Sequence, residues 1–68
     1  MREWVKVYSH TDPVKVELVM LLLKENEIEA VELDKKDSAY GMFGEIEVHV
    51  PQSAVIKSLH LIQNEINE

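Results

Sequence analysis

Alternating apolar and polar positions predict three short β-strands in this chain. In each strand one set of alternate side chains is apolar and is expected to face a core, while the other set faces outward. The predicted strands cover residues 4–8, 28–34 and 45–50. The side chains expected to point inward are Val5 and Val7, then Val31 and Leu33, then Ile46, Val48 and Val50.

Apolar residues at helical spacing predict a first helix from about Pro13 to Asn26. Asp12 fits an N-cap ahead of a proline at the first helical position, where the missing N–H costs nothing. Asn26 is expected to end the helix in the left-handed conformation. The side chains expected to face the sheet are Val16, Val19, Leu22 and Leu23, with Leu18 beside them.

A second helix is predicted after Pro51, which stops the third strand. Ser53 is a candidate N-cap, and the helix is expected to reach about residue 67. Its apolar stripe consists of Val55, Leu59, Ile62 and Ile66, widened by Ile56 and Leu61.

The resulting order is βαββα, in one domain that covers residues 1–68. A right-handed crossover between the first two strands leaves a gap that the third strand fills, antiparallel to both. The sequence therefore predicts an α+β, two-layer sandwich with a three-stranded antiparallel sheet of order 1-3-2 and both helices on one face. This is a truncated ferredoxin-like fold that lacks its last strand.

Such a fold leaves one sheet face without helices and the edge of the first strand unpaired, and natural proteins cover such edges or use them to bind. Aromatic side chains on the open face would form an apolar patch of the kind found at interfaces. A homodimer joined through this face is the favoured assembly. The residues predicted to form the interface are Trp4, Lys6, Tyr8, Glu47 and His49.

The connection over residues 35–44 reads as neither helix nor strand and holds two lysines, a hydroxyl and two aromatics. These groups suit an anionic ligand or an acidic peptide. The candidate binding residues are Lys35, Lys36, Asp37, Ser38, Tyr40 and Phe43. A flexible hairpin connection without a binding role is the alternative interpretation.

Composition limits the classes of function. With 68 residues and no cysteine, the core is thin, and a partner that covers leftover apolar surface is favoured. A net charge of −6 argues against nucleic acid as a partner. The longest apolar run, residues 18–23, is too short to cross a membrane, and the charged start does not resemble a signal peptide. We therefore expect a cytoplasmic protein with no membrane partner.

No catalytic or metal-binding pattern stands out. The three histidines, His10, His49 and His60, lack the spacing of a metal site, and no serine lies in a nucleophile-elbow context. The thirteen acidic residues fall mostly on faces expected to be solvated. We expect no enzyme activity, no metal and no cofactor.

The whole chain resembles a family of small bacterial domains described as putative prokaryotic signal-transducing proteins, grouped with the nitrogen-regulatory PII-like fold. The resemblance is carried by the segments WVKVY (4–8), DP (12–13), ELV (17–19), LL (22–23), IEA (28–30), KKDS (35–38) and FGEIEVHVP (43–51). It implies βαββα topology. In PII-like proteins the connection between the second and third strands contacts effectors and target proteins, which is the place of residues 35–44 here.

Two functions from different classes follow. The first is a non-catalytic regulatory or adaptor domain that binds a protein partner and forms a homo-oligomer. The alternative is a sensor of a small anionic effector with its pocket at an interface between subunits.

Overall fold

A computed structural model describes residues 3–34 and 44–66 of the chain. The middle strand of its sheet, β3, is antiparallel to both neighbours, so the strand order is β1-β3-β2. The predicted βαββα order, the α+β class and the 1-3-2 sheet are confirmed. The elements are β1 (Trp4–His10), α1 (Pro13–Glu25), β2 (Val31–Asp34), β3 (Ile46–Pro51), a 3₁₀ turn (Gln52–Ala54) and α2 (Val55–Glu65).

Both helices pack on the same face of the sheet. They contact β1, β3 and each other. One apolar cluster fills the space between the two layers, and β3 supplies its centre because Val48 and Val50 are fully buried there. The buried members are Val16, Val19, Leu23, Ile28, Ile46, Val48, Val50 and Ile62. Leu18, expected beside the inward face of α1, is instead 47% exposed.

The start of α1 is as predicted, but its end differs. Asp12 caps the helix, and its Oδ1 accepts a hydrogen bond from the backbone N–H of Val14 at 3.0 Å. Asn26 has φ −100°, so its predicted left-handed conformation is wrong; Glu27, at φ 61°, takes that role. Asn26 contributes its side chain instead, and the amide donates to the carbonyl of Leu22 at 2.8 Å.

The turn at Glu27 is a Schellman motif. The N–H of Ile28 donates to the carbonyl of Leu23 at 2.9 Å, and the N–H of Glu27 donates to the carbonyl of Lys24 at 3.0 Å. The side chains of Ile28 and Leu23 are both buried in the core. The motif therefore directs Ile28 toward the helices before β2 begins.

The predicted faces of β2 are wrong. Directly opposed residues of antiparallel strands share a face. Val31 lies opposite His49 and Leu33 opposite Glu47, whereas Glu32 lies opposite the buried Val48. Val31 and Leu33 consequently point away from the helices. The physical reason is the Schellman motif, which buries Ile28 on the helix side. Because side chains of an extended chain alternate between the two faces, residues 30, 32 and 34 also lie on the helix side.

A bulge in β1 changes the face of its second half. The register shifts between Lys6, opposite His49, and Tyr8, opposite Val48. An extra residue, Val7, is inserted there, and such an insertion reverses the sides on which later residues lie. Tyr8 therefore packs against the core on the helix side, and its predicted position on the open face is wrong.

The second helix begins differently from the prediction. Residues 52–54 form a 3₁₀ turn, α2 follows an N-cap at Ala54 without a side-chain hydrogen bond, and the predicted cap at Ser53 is wrong. On the inward stripe Ser58 is fully buried, while the predicted member Leu59 is 46% exposed. Ser58 Oγ has no hydrogen-bond partner within the described part of the chain.

Candidate functional site

The site with the most concentrated chemistry is the sheet face turned away from the helices, which we call the open face. The cross-strand register arranges its side chains in rows. Lys6, His49 and Val31 form one row, and Ser9, Glu47 and Leu33 the next. Trp4 extends the face beyond Lys6, opposite Pro51. Within residues 3–34 and 44–66, no helix or strand lies over these rows.

A polar group occupies the centre of the open face. The Nζ atom of Lys6 lies 3.8 Å from Oε2 of Glu47, its diagonal neighbour on β3, and Nε2 of His49 lies 3.0 Å from Oε1 of the same carboxylate. Since a carboxylate only accepts, Nε2 of His49 is the donor. The side chains of Glu47 and His49 are only 18% and 16% exposed, whereas Lys6 is 51% exposed. Lys6 therefore offers the accessible charge.

Apolar side chains flank this polar group. Trp4 is 40% exposed on one side, and Val31 and Leu33 are 36% and 43% exposed on the other. These three belong to the outer strands of the sheet, where a β-strand residue has few neighbours. The open face thus combines a central charge pair with an apolar border, and its Trp4 is of a residue type enriched in contact surfaces between proteins.

Most of the predicted interface residues do meet here. Trp4, Lys6, Glu47 and His49 share the open face, and Tyr8 does not. The predicted loop residues Lys35, Lys36, Asp37, Ser38, Tyr40 and Phe43 lie outside the described residues.

Two members of the open face, Val31 and Leu33, were missed by sequence reasoning. Apolar alternation indicates a strand but does not show which set of alternate residues faces the core. The apolar set is usually assigned to the core. The available signal was Ile28: counting in twos from an apolar residue at the helix end places Val31 and Leu33 outside.

A cavity of about 330 Å³ lies on the helix side, between β1 and the helices. Tyr8 and His10 stack along one wall with ring centroids 6.3 Å apart, and Lys15 of α1 adds a cation. Nδ1 of His10 accepts the N–H of Asp12 at 2.9 Å, so neutral His10 carries its proton on Nε2. Ile62 and Ile66 of α2 form the apolar side.

The described residues do not contain a grouping of three or more His, Cys, Asp or Glu side chains that could hold a metal ion. Among the same residues, neither helix has the length and apolar content required to cross a bilayer.

Comparison with known protein families identifies the family to which the chain belongs. The model of a family described as putative prokaryotic signal transducing protein matches residues 4–66. The chain belongs to this family. The match covers every helix and strand described here, and the family description suggests, in general terms, a signal-transducing role for its members. Searches of the curated proteins and of the solved structures give no match to the chain.

Proposed function

We propose that this member of the family is a non-catalytic, cytoplasmic regulatory or adaptor domain that works as a homodimer joined through the open face and binds a protein partner. The observation that carries the proposal is the inverted pattern of β2. Its apolar residues Val31 and Leu33 point to the side without helices, and its acids Glu32 and Asp34 point to the helix side. Apolar side chains arranged in this way are stabilised when a second surface covers them.

Charge on the open face supports a second copy as the covering surface. The protein carries a net charge of −6, so most pairs of its surfaces repel each other. The centre of the open face differs, because Lys6 and Glu47 balance each other. A two-fold axis near this pair would set the accessible Lys6 of each protomer beside the carboxylate of the other.

The shape of the molecule also suits this contact. The Cα atoms span 35 × 33 × 15 Å, so the protein is a flat body with two broad faces. A stable interface buries about 800 Å² on each partner. The broad face that holds the open sheet is of that order, whereas the thin sides are not.

Sedimentation velocity tests the dimer with a charge exchange. Lys6→Glu places two acids together in each protomer and four at the proposed axis, and we expect a monomer. Combining Lys6→Glu with Glu47→Lys restores opposite charges, and we expect the dimer to return. Lys57→Glu, the same charge change at an exposed position on α2, serves as control and should leave the dimer intact.

A wild-type monomer at high concentration would contradict the proposed dimer. If the wild type is a dimer and Lys6→Glu dimerises as fully as Lys57→Glu, the interface does not lie on the open face.

The cavity formed by Tyr8, His10 and Lys15 favours a second candidate function, a sensor of a small anionic effector. A lysine, an imidazole N–H and a phenol can together hold a carboxylate or phosphate, and Ile62 can contact an apolar part of the ligand. A thermal-shift screen with nucleotides, amino acids and 2-oxo acids tests it. A true ligand at saturation should raise the melting temperature by several degrees, because it binds the native state alone.

The matched variants for this screen are Lys15→Ala, which should abolish the shift, and Lys57→Ala, which should retain it. If no compound raises the melting temperature of the wild-type protein, or if Lys15→Ala responds as well as wild type, the sensor function is rejected.

A further inference from the structure

A groove of about 550 Å³ lies between α1 and β2. It exists because α1 packs mainly on β1 and β3, which leaves the helix side of β2 open. Met20 and Ile28 form an apolar floor and belong to the edge of the core. Glu17 on the helix and Glu32 on the strand lie on opposite sides of that floor, and both are exposed. Lys24 and Glu29 also line the groove, so its lining carries three acids and one base.

The strand that forms one wall of the groove is also an edge of the sheet. Across the described ranges, β2 pairs with β3 alone. The other edge of a strand presents backbone N–H and C=O groups that can pair with an added strand. The groove and this edge are adjacent, so one extended segment can reach both.

The chemistry of the groove selects the side chains of such a segment. Arginine and lysine combine an aliphatic stem with a charged end, and they bury the stem while the charge stays at the surface. Here the stem would lie on Met20 and Ile28, and the cation would lie between Glu17 and Glu32. Arginine suits this position better, because its planar guanidinium can bind a carboxylate with two parallel hydrogen bonds.

The opposite side of an added strand meets different neighbours. Successive side chains of a strand alternate between faces, so every second residue would lie on the open face beside Val31 and Leu33. Apolar residues are favoured at those positions, since they extend the apolar border that Val31 and Leu33 already form.

From these four features we propose that the outer edge of β2 binds a segment of a partner protein in which basic and apolar residues alternate, the segment adding as a fourth strand. The basic side chains enter the groove and the apolar ones continue the open face. This assigns a chemistry to the partner of the adaptor domain proposed above, and it rests on that function.

The test uses a fluorescent, end-blocked heptapeptide of alternating valine and arginine as the probe, with binding to the full chain followed by fluorescence anisotropy. Glu17→Gln combined with Glu32→Gln should weaken binding about fivefold to tenfold, as expected for the loss of two partly exposed ion pairs. Because the protein is acidic overall, any cationic peptide is attracted to it. The matched control is Glu25→Gln combined with Glu65→Gln, which removes the same charge outside the groove and should change the affinity less than twofold.

Two further measurements separate strand addition from simple charge attraction. N-methylation of alternate residues blocks the backbone hydrogen bonds of the peptide while keeping its charge, and at least one of the two methylation patterns should abolish binding. In NMR titrations the largest amide shift changes should fall on β2 and on Met20. Equal weakening by the two double variants, undiminished binding of both N-methylated peptides, or shift changes centred on α2 would each overturn the proposal.

The same samples keep this inference separate from the dimer. If sedimentation shows the charge-reversible dimer and the peptide does not bind, the partner chemistry is wrong and the proposed assembly stands. If the peptide binds as expected and the wild type is a monomer, the groove is supported and the proposed dimer is rejected.

Discussion

Glu27 is the residue at which the backbone turns from α1 toward β2, and it does so with φ 61°. For a residue with a Cβ atom this left-handed conformation costs about 1–2 kcal/mol, and glycine adopts it without that cost. The protein tolerates the cost because the turn makes two backbone hydrogen bonds and brings Ile28 onto Leu23.

Replacing Glu27 with glycine should therefore increase the free energy of unfolding by about 1 kcal/mol. Urea denaturation followed by circular dichroism measures it. Glu17→Gly is the matched control: the same exchange at an exposed position inside α1 should decrease the free energy of unfolding by roughly 0.5–1 kcal/mol. A loss of stability in both variants would show that the side chain of Glu27 matters more than its backbone conformation.

Ser58 has a buried hydroxyl without a hydrogen-bond partner in the described part of the chain. Leaving such a group unpaired costs about 1–3 kcal/mol, and alanine is also the better helix former. Ser58→Ala should raise the free energy of unfolding by about 1 kcal/mol or more, measured by urea denaturation.

Ser53, exposed in the 3₁₀ turn, provides the control for that variant: Ser53→Ala should stay within about 0.5 kcal/mol of wild type. A clear loss of stability in Ser58→Ala would mean that the hydroxyl makes a bond that its present geometry does not show.

At the scale of elements, much of the fold follows from local pattern. The alternation around Val48 and the Asp12-Pro13 pair located β3 and the start of α1 correctly, because a half-buried strand and a capped helix leave direct marks in sequence. The faces of β2 and of the second half of β1 could not be found in this way. Both depend on counting residues through an irregular point, the turn at Glu27 and the bulge at Val7, and apolar alternation does not record an added residue.

The consequence for the candidate site is similar. Trp4, Lys6, Glu47 and His49 were found because they belong to regular parts of β1 and β3, whereas the position of Tyr8 was wrong because it follows the bulge. The groove beside β2 has no sequence signature, since it arises from how far α1 extends over the sheet.

The reversed faces of β2 lead to a test at this scale. Leu33→Thr places a β-branched residue, which favours strands, on the open face, and in dilute protein it should change the free energy of unfolding by less than about 0.5 kcal/mol. Val48→Thr places a hydroxyl at a fully buried position of β3 and should cost about 1–3 kcal/mol. Chemical denaturation at low micromolar concentration measures both. Equal losses of stability in the two variants would indicate that Leu33 is buried in the core.

At the scale of the whole molecule, a two-layer body in which no described helix or strand covers one face of the sheet is expected to gain stability by self-association. Binding of a second copy to the native state makes the melting temperature increase with protein concentration. The proposed dimer therefore predicts an increase of several degrees between 5 and 500 μM, assuming about 4–8 °C for each kcal/mol in a domain of this size.

The paired variant Val31→Thr with Leu33→Thr should melt at nearly the same temperature across that range. Ile56→Gln with Leu59→Gln, which removes two exposed apolar residues from α2 on the other side of the molecule, should keep the wild-type dependence. A loss of the concentration dependence in the α2 variant alone would place the interface on the helical layer.

The turn at Glu27 also has a consequence for the order of events during folding. Its two hydrogen bonds join residues three and five positions apart, and closure of a loop of about ten residues takes roughly 10–100 ns. Pairing of β1 with β3 must bring together Ile46 and His10, which is a far slower search across the chain. We therefore expect the turn at Glu27 to form before the sheet during folding. This local turn then sets which side of β2 is apolar, and with it the surface available for assembly.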